Sequence, residues 1–326
     1  MTLSRLLLAL ALVTSGGCTA KDDDASKSAE VEAAAAPGGV ETIQIPARKP
    51  PTVTLIEPGD EPRMPMRMHP SVGQRESLEL SIGMTMSMRN GAQNMPNIPV
   101  PTTKTRMSAE VETVESGTFT VRHVVDDVEV VAGENTPKAV LDKVEQNIAP
   151  LRNYRAKTQM DERGTVLGGE VELPRDLPAM MHQTMRQMTE SMSQLAVPLP
   201  AETVGTGARW DTVHEVEQNG MKLRQTGHYS IVGRTGDQVT LVVSMEQELL
   251  DPNVDVPGML GATARVGKFE SAGKGTVQLD LAHITPTAMQ LNVDLSMTMD
   301  VSVLGQDQHV EMDMGIDMQL ARTADE

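Results

Sequence analysis

A chain of 326 residues with a net charge of −17 repels a nucleic-acid backbone, and no basic run or aromatic–basic interleaving offsets that repulsion. Aromatics make up 2% of the residues against 24 methionines, so Met, Leu and Val have to supply the core. The lone cysteine, Cys18, excludes an intramolecular disulfide and a Cys-based metal site.

Residues 1–18 read as an export signal. Arg5 gives a positive start, and the apolar run Leu6 to Val13 is too short to span a bilayer as a helix. Ser15, Gly16 and Gly17 before Cys18 resemble a bacterial lipobox, in which the cysteine is lipidated and becomes the new N-terminus; Ser15 departs from the usual Leu or Val. Acyl chains on Cys18 would hold the chain on a membrane, each buried methylene contributing about 0.8 kcal/mol. Thr19 in place of Asp favours the outer membrane, by analogy with bacterial lipoprotein sorting. Residues 19–50 are small, charged and Pro/Gly-rich, which predicts a disordered tether.

A single β-rich domain is expected over 51–326. Met64, Met66 and Met68 alternate, although Pro65 confines such a strand to an edge. Leu78, Leu80, Ile82, Met84, Met86 and Met88 form a one-faced strand, and 104–114 and 119–131 return from it. Thr136 is placed to N-cap a first helix with Pro137 at its first position; Val140, Leu141, Val144, Ile148 and Leu151 mark its buried side. Residues 155–173 read as a hairpin turning at 161–164. A second helix is predicted over about 176–196, where Met181, Met185, Met188 and Met192 make one continuous stripe.

Residues 205–250 read as a meander, with Asn219-Gly220 a strong hairpin signal. Another hairpin spans 264–281. Residues 289–303 then alternate Met289, Leu291, Val293, Leu295, Met297, Met299 and Val301 with polar residues, a strand roughly 50 Å long. Val310, Met312, Met314, Ile316, Met318 and Leu320 repeat the pattern. The expected fold is α+β but mainly β: a long, curved, half-barrel-like antiparallel sheet with two amphipathic helices on its apolar face.

Two halves, about 64–200 and 201–320, look alike. Residues 72–84 resemble 204–216, each half reaches Asn-Gly (90–91, 219–220), and 164–173 resemble 275–281. The motifs LIEPGDEPR (55–63), PLPAETVGTGARW (198–210) and EQNGMKLRQTGHY (217–229) resemble a family of uncharacterised bacterial lipoproteins, a domain of unknown function. That resemblance implies a fold and an envelope location and carries over no catalytic residue.

No GxSxG, HExxH, P-loop or CxxC is present, and histidines 69, 123, 182, 214, 228, 283 and 309 show no ligand-like spacing. Asp251, Asn253 and Asp255 match the start of a calcium loop, but Val256 and Ala262 stand where its Gly and bidentate Glu belong. The chain therefore reads as non-catalytic and cofactor-free. The expected role is binding a lipid or other apolar ligand in a groove lined by Met84, Met86, Met181, Met185, Met188, Met192, Met297, Met299, Met312 and Met314. The alternatives are a structural or adaptor lipoprotein that binds another envelope protein, and Cu(I) binding through Met64, Met66, Met68 and His69 or through Met84, Met86 and Met88.

Overall fold

The computed structural model describes residues 40–323, apart from 46, 48, 92, 95–99, 134–135, 175–196, 219, 256–262 and 304–305. The strands are β1 (Val40–Ile45), β2 (Thr52–Glu57), β3 (Arg75–Asn90), β4 (Gln93–Asn94), β5 (Thr102–Glu115) and β6 (Thr118–Val131). Helix α1 (Lys138–Ile148) and a 3-10 turn (Ala149–Asn153) follow, then β7 (Arg155–Asp161) and β8 (Val166–Pro174). The second half holds β9 (Arg209–Gln218), β10 (Met221–Thr235), β11 (Gln238–Leu249), β12 (Asn253–Asp255), β13 (Thr263–Asp280), β14 (Ala288–Val303) and β15 (Gln306–Thr323).

All pair antiparallel in one sheet, in the order β1-β8-β7-β6-β5-β3-β15-β14-β13-β11-β10-β9-β2, with β4 on β3 and β12 on β13. One meander runs outward from β3 to β8 and a second runs inward from β9 to β15. They join where β3 meets β15, with Leu80 opposite Leu320 and Met86 opposite Met314.

The two edge strands are neighbours in sequence. Ile45 and Thr52 are seven residue steps apart, so they lie within about 25 Å of each other. The thirteen strands of the main path, laid flat at about 4.8 Å each, would separate those edges by about 58 Å. The sheet must therefore curl on itself. Its inward residues meet accordingly: Val171 of β8 and Trp210 of β9 belong to one core with Leu80, Val121, Ile231 and Leu279.

Two irregular segments close one end of the curl. Met66, Val197, Leu199 and Val204 are buried in the same core. Met64 N donates to Val204 O (3.1 Å) and Val204 N returns the bond (3.0 Å), while Met68 N donates to Glu162 O and His69 N to Leu281 O, both at 2.8 Å. Glycine is required where the segments cross. Gly59 has φ +75°, and a Cβ on Gly205 would stand 1.7 Å from Asp60 O.

The expected α+β class is overturned. Among the described residues the fold is all-β apart from α1 and its 3-10 turn. No residue of α1 is buried, and the helix touches the core through Ile148 alone, with Leu151 following in the 3-10 turn. A sheet that curls supplies its own cover, so no pair of helices has to lie on the apolar face. The second expected helix, 176–196, falls outside the described residues. The predicted cap also differs: Pro137 takes the N-cap position with extended backbone and no side-chain bond, and its carbonyl accepts Val140 N at 2.9 Å. The expected tether gives way at Val40, because β1 pairs with β8 and turns Ile43 and Ile45 to the core.

Candidate ligand hollow

Strand parity decides which side chains face inward, and burial along each strand shows where the inward face is left bare. On β3, Leu78 and Leu80 are buried, Ile82 and Met84 are half-buried, and Met86 and Met88 are buried again. On β14, Met289 is buried, Leu291, Val293 and Leu295 are half-buried, and Met297, Met299 and Val301 are buried. On β15 the half-buried stretch is Met314, Ile316 and Met318, between Met312 and Leu320. Three neighbouring strands thus share a band of half-buried apolar side chains between two packed ends.

A hollow of about 1010 Å³ opens at one end of this band, where Met84, Leu295 and Met314 line it. Met84, Met86, Leu295, Met314 and Phe269 give it an apolar wall, and Gln247 and Ser271 give it a polar margin. Residues of β11, β13, β14, β15 and β3, five successive strands, line it at both inward and outward registers, together with Val100, Gly133 and Thr136. Its volume is at the upper end of the range of about 300–1,000 Å³ typical of small-molecule sites.

The polar margin is a ladder. Ser271 Oγ donates to Gln247 Oε1 at 2.9 Å, and Gln247 Nε2 donates to Gln225 Oε1 at 3.0 Å. These are inward positions flanked by apolar ones: Gln247 lies between Met245 and Leu249, and Ser271 between Phe269 and Gly273. Gly273 has room for no Cβ, because Met245 Cγ would be 2.5 Å from it.

Of the expected ligand residues, Met84, Met86 and Met314 line the hollow. Met297, Met299 and Met312 do not; they are buried beside it in a second apolar cluster with Met88, Val266 and Val310. Met181, Met185, Met188, Met192 and the lipidation candidate Cys18 lie outside the described residues. Sequence reasoning missed Gln225, Gln247 and Ser271. The legible signal was a polar residue at an inward register of an otherwise apolar alternation.

A second polar centre sits at the closed end. Glu76 is 1% exposed and accepts Ile284 N at 3.0 Å, Thr285 N at 3.1 Å and Gln74 Nε2 at 2.9 Å, together with the Thr285 hydroxyl. His283 Nδ1 lies 3.2 Å away and Arg322 Nε 4.0 Å away. This carboxylate is fully partnered, and it fastens the loop between β13 and β14 to β3. On the same inward row, two strands along, His123 lies between Ala109 and Ala156, with Nε2 2.9 Å from Thr158 Oγ1. Burial pushes its pKa down to about 4, with the Glu76 charge opposing.

Of the two methionine sets considered for copper, the first separates, while Met84, Met86 and Met88 share one face of β3. Met66 and Met68 are buried in the core, Met64 is 38% exposed, and His69 pairs with Asp237 at 3.2 Å. Among the described residues no group of three or more His, Cys, Asp and Glu could hold a metal ion. The motif ending in Trp210 is structural: Trp210 is buried, donates Nε1 to Pro198 O at 3.0 Å and stacks on Tyr229 at 5.3 Å.

Fold and hollow together define a curled antiparallel β-sheet with an apolar lumen and a polar exterior. No protein-family model matches the chain, and no curated protein does. Among solved structures, the crystal structure of Pseudomonas aeruginosa OccK2 (OpdF) aligns at 8% identity over 77% of this chain and 98% of that one, with a TM-score of 0.17. A likeness that weak carries no argument about fold or function.

Proposed function

We propose that the protein is a lipid-anchored lipoprotein of the bacterial envelope that holds a lipid or other apolar ligand in the hollow of its curled sheet. The observation that carries this reading is the half-buried apolar band on β3, β14 and β15, whose Met84, Leu295 and Met314 line about 1010 Å³ of space. Contiguous uncovered apolar surface inside a folded chain is a binding feature or a defect, since fully burying each such side chain is worth about 1.5–3 kcal/mol. The exterior supports a protein tethered to the bilayer by Cys18. β14 and β15 turn Asp294, Asp300, Glu311, Asp313 and Asp317 outward, the reverse of the apolar band on a membrane-spanning barrel. Among the described residues no helix is long and apolar enough to cross a membrane. Native mass spectrometry of the purified chain, followed by organic extraction, tests the reading. A stoichiometric lipid adduct is expected, and a bare mass from cells that make the protein in their own envelope contradicts it.

An adaptor role has one observation of its own. Ile56 is 50% and Val242 44% exposed, and they share a hollow of about 370 Å³ on the outer face of β2, β10 and β11. In-cell cross-linking from position 242 separates the two roles: a single protein product there, with no lipid in the lumen, favours the adaptor.

A further inference from the structure

We infer that the ligand of this hollow is an uncharged single-chain amphiphile, its hydrogen-bonding head at Gln247 and Gln225 and its chain laid across β14, β15 and β3; the inference rests on the apolar-ligand reading above. The register carries it. Gln225 pairs with Gln247, Gln247 with Ser271, Ser271 with Leu295, Leu295 with Met314, and Met314 with Met86. One inward row therefore changes from polar to apolar as it crosses the wall. From Gln247 to Met86 is four strand spacings, about 19 Å, the proportions of one chain with a head at one end.

The head's chemistry follows from the unused valences. Gln247 Nε2 gives one N–H to Gln225, and among the described residues no acceptor is seen for its second N–H or for Gln225 Nε2. Such a margin offers donors, and the complementary groups are ester carbonyls and hydroxyls. A carboxylate or phosphate head would accept these bonds too, but no Lys or Arg is among the described residues lining the hollow. An anion there would be desolvated with no cation from the hollow's described lining to offset the cost.

The test uses the purified full chain loaded with diphenylhexatriene, a hydrocarbon probe without a polar head. A monoacylglycerol and the fatty acid of the same chain length compete for the site at pH 8. The monoacylglycerol is expected to displace the probe at a concentration about tenfold lower than the fatty acid, and Gln247→Leu to shrink that gap to about twofold. Gln225→Leu, on the neighbouring strand, makes the same prediction if the first variant folds poorly. Equal displacement by both competitors, or a gap that survives both variants, overturns the inference while probe binding leaves the apolar-ligand reading standing. A probe that fails to bind the wild-type chain, or that binds Leu295→Gln and Met86→Gln undiminished, overturns both.

Discussion

An inward polar residue on a one-faced strand has to find its partners inside the sheet, and each such residue here has a distinct solution. Glu76 is saturated by backbone and hydroxyl donors. Glu76→Gln replaces one acceptor oxygen with a donor facing Thr285 N, and is expected to destabilise the fold by about 2–3 kcal/mol. Faster hydrogen exchange at the Ile284 and Thr285 amides, with the β11 amides little changed, is the expected signature. His123 is held neutral instead. The unfolded chain takes up this proton near pH 6.5 and the folded chain not until about 4, so stability falls as the pH drops through that window and is unaffected above it. The loss is on the order of 2 kcal/mol at pH 5. Urea midpoints at pH 7 and pH 5 should diverge in the wild type and converge in His123→Gln. Period-two alternation was enough to assign Met84, Met86 and Met314 to a common face. It could not say which inward residues stay uncovered, because that depends on where the segments 58–74 and 197–208 come to rest, a long-range outcome. The same limit hid Gln247 and Ser271, whose partners lie on other strands.

Among the elements, the strands were the readable part and the covers were not. Strand boundaries at 118, 155, 221 and 288 follow one-faced runs punctuated by glycine turns, such as Gly117 (φ +79°) and Gly236 (φ +60°). β1 escaped notice because two inward isoleucines at the end of a polar, alanine-rich stretch show no period until β8 is there to pair with them. The segment 63–69 read as an edge strand, yet it crosses the end of the curl, stitched to turns that only the closed sheet brings together. Its seating depends on the backbone contact between residues 59–60 and 205. Gly205→Ala is expected to lower stability by about 1–3 kcal/mol or more, and to red-shift Trp210 emission as Pro198 moves off the ring. Unchanged emission with lost stability would mean that this seam and the Trp210 site open independently.

At the scale of the molecule, two meanders share one sheet and the edge strands β1 and β2, joined by a short link, bring its margins together. Packing is complete at the closed end and in the Met88–Met312–Met297 row, and incomplete between them. Unbranched thioethers suit such a border, since Met can re-pack around a guest of variable shape at little strain. Deepening the wall should therefore be tolerated and filling it should not hurt the fold. Leu295→Trp is expected to keep the melting temperature within a few degrees while displacing any bound lipid. The most direct measurement is photolabelling with a diazirine-bearing single-chain lipid, followed by sequencing of the modified peptides. Labels on Met84, Met86, Leu295 and Met314 are predicted; labels confined to outward residues such as Val232 and Val242, or no labelling at all, would contradict an apolar guest in the lumen.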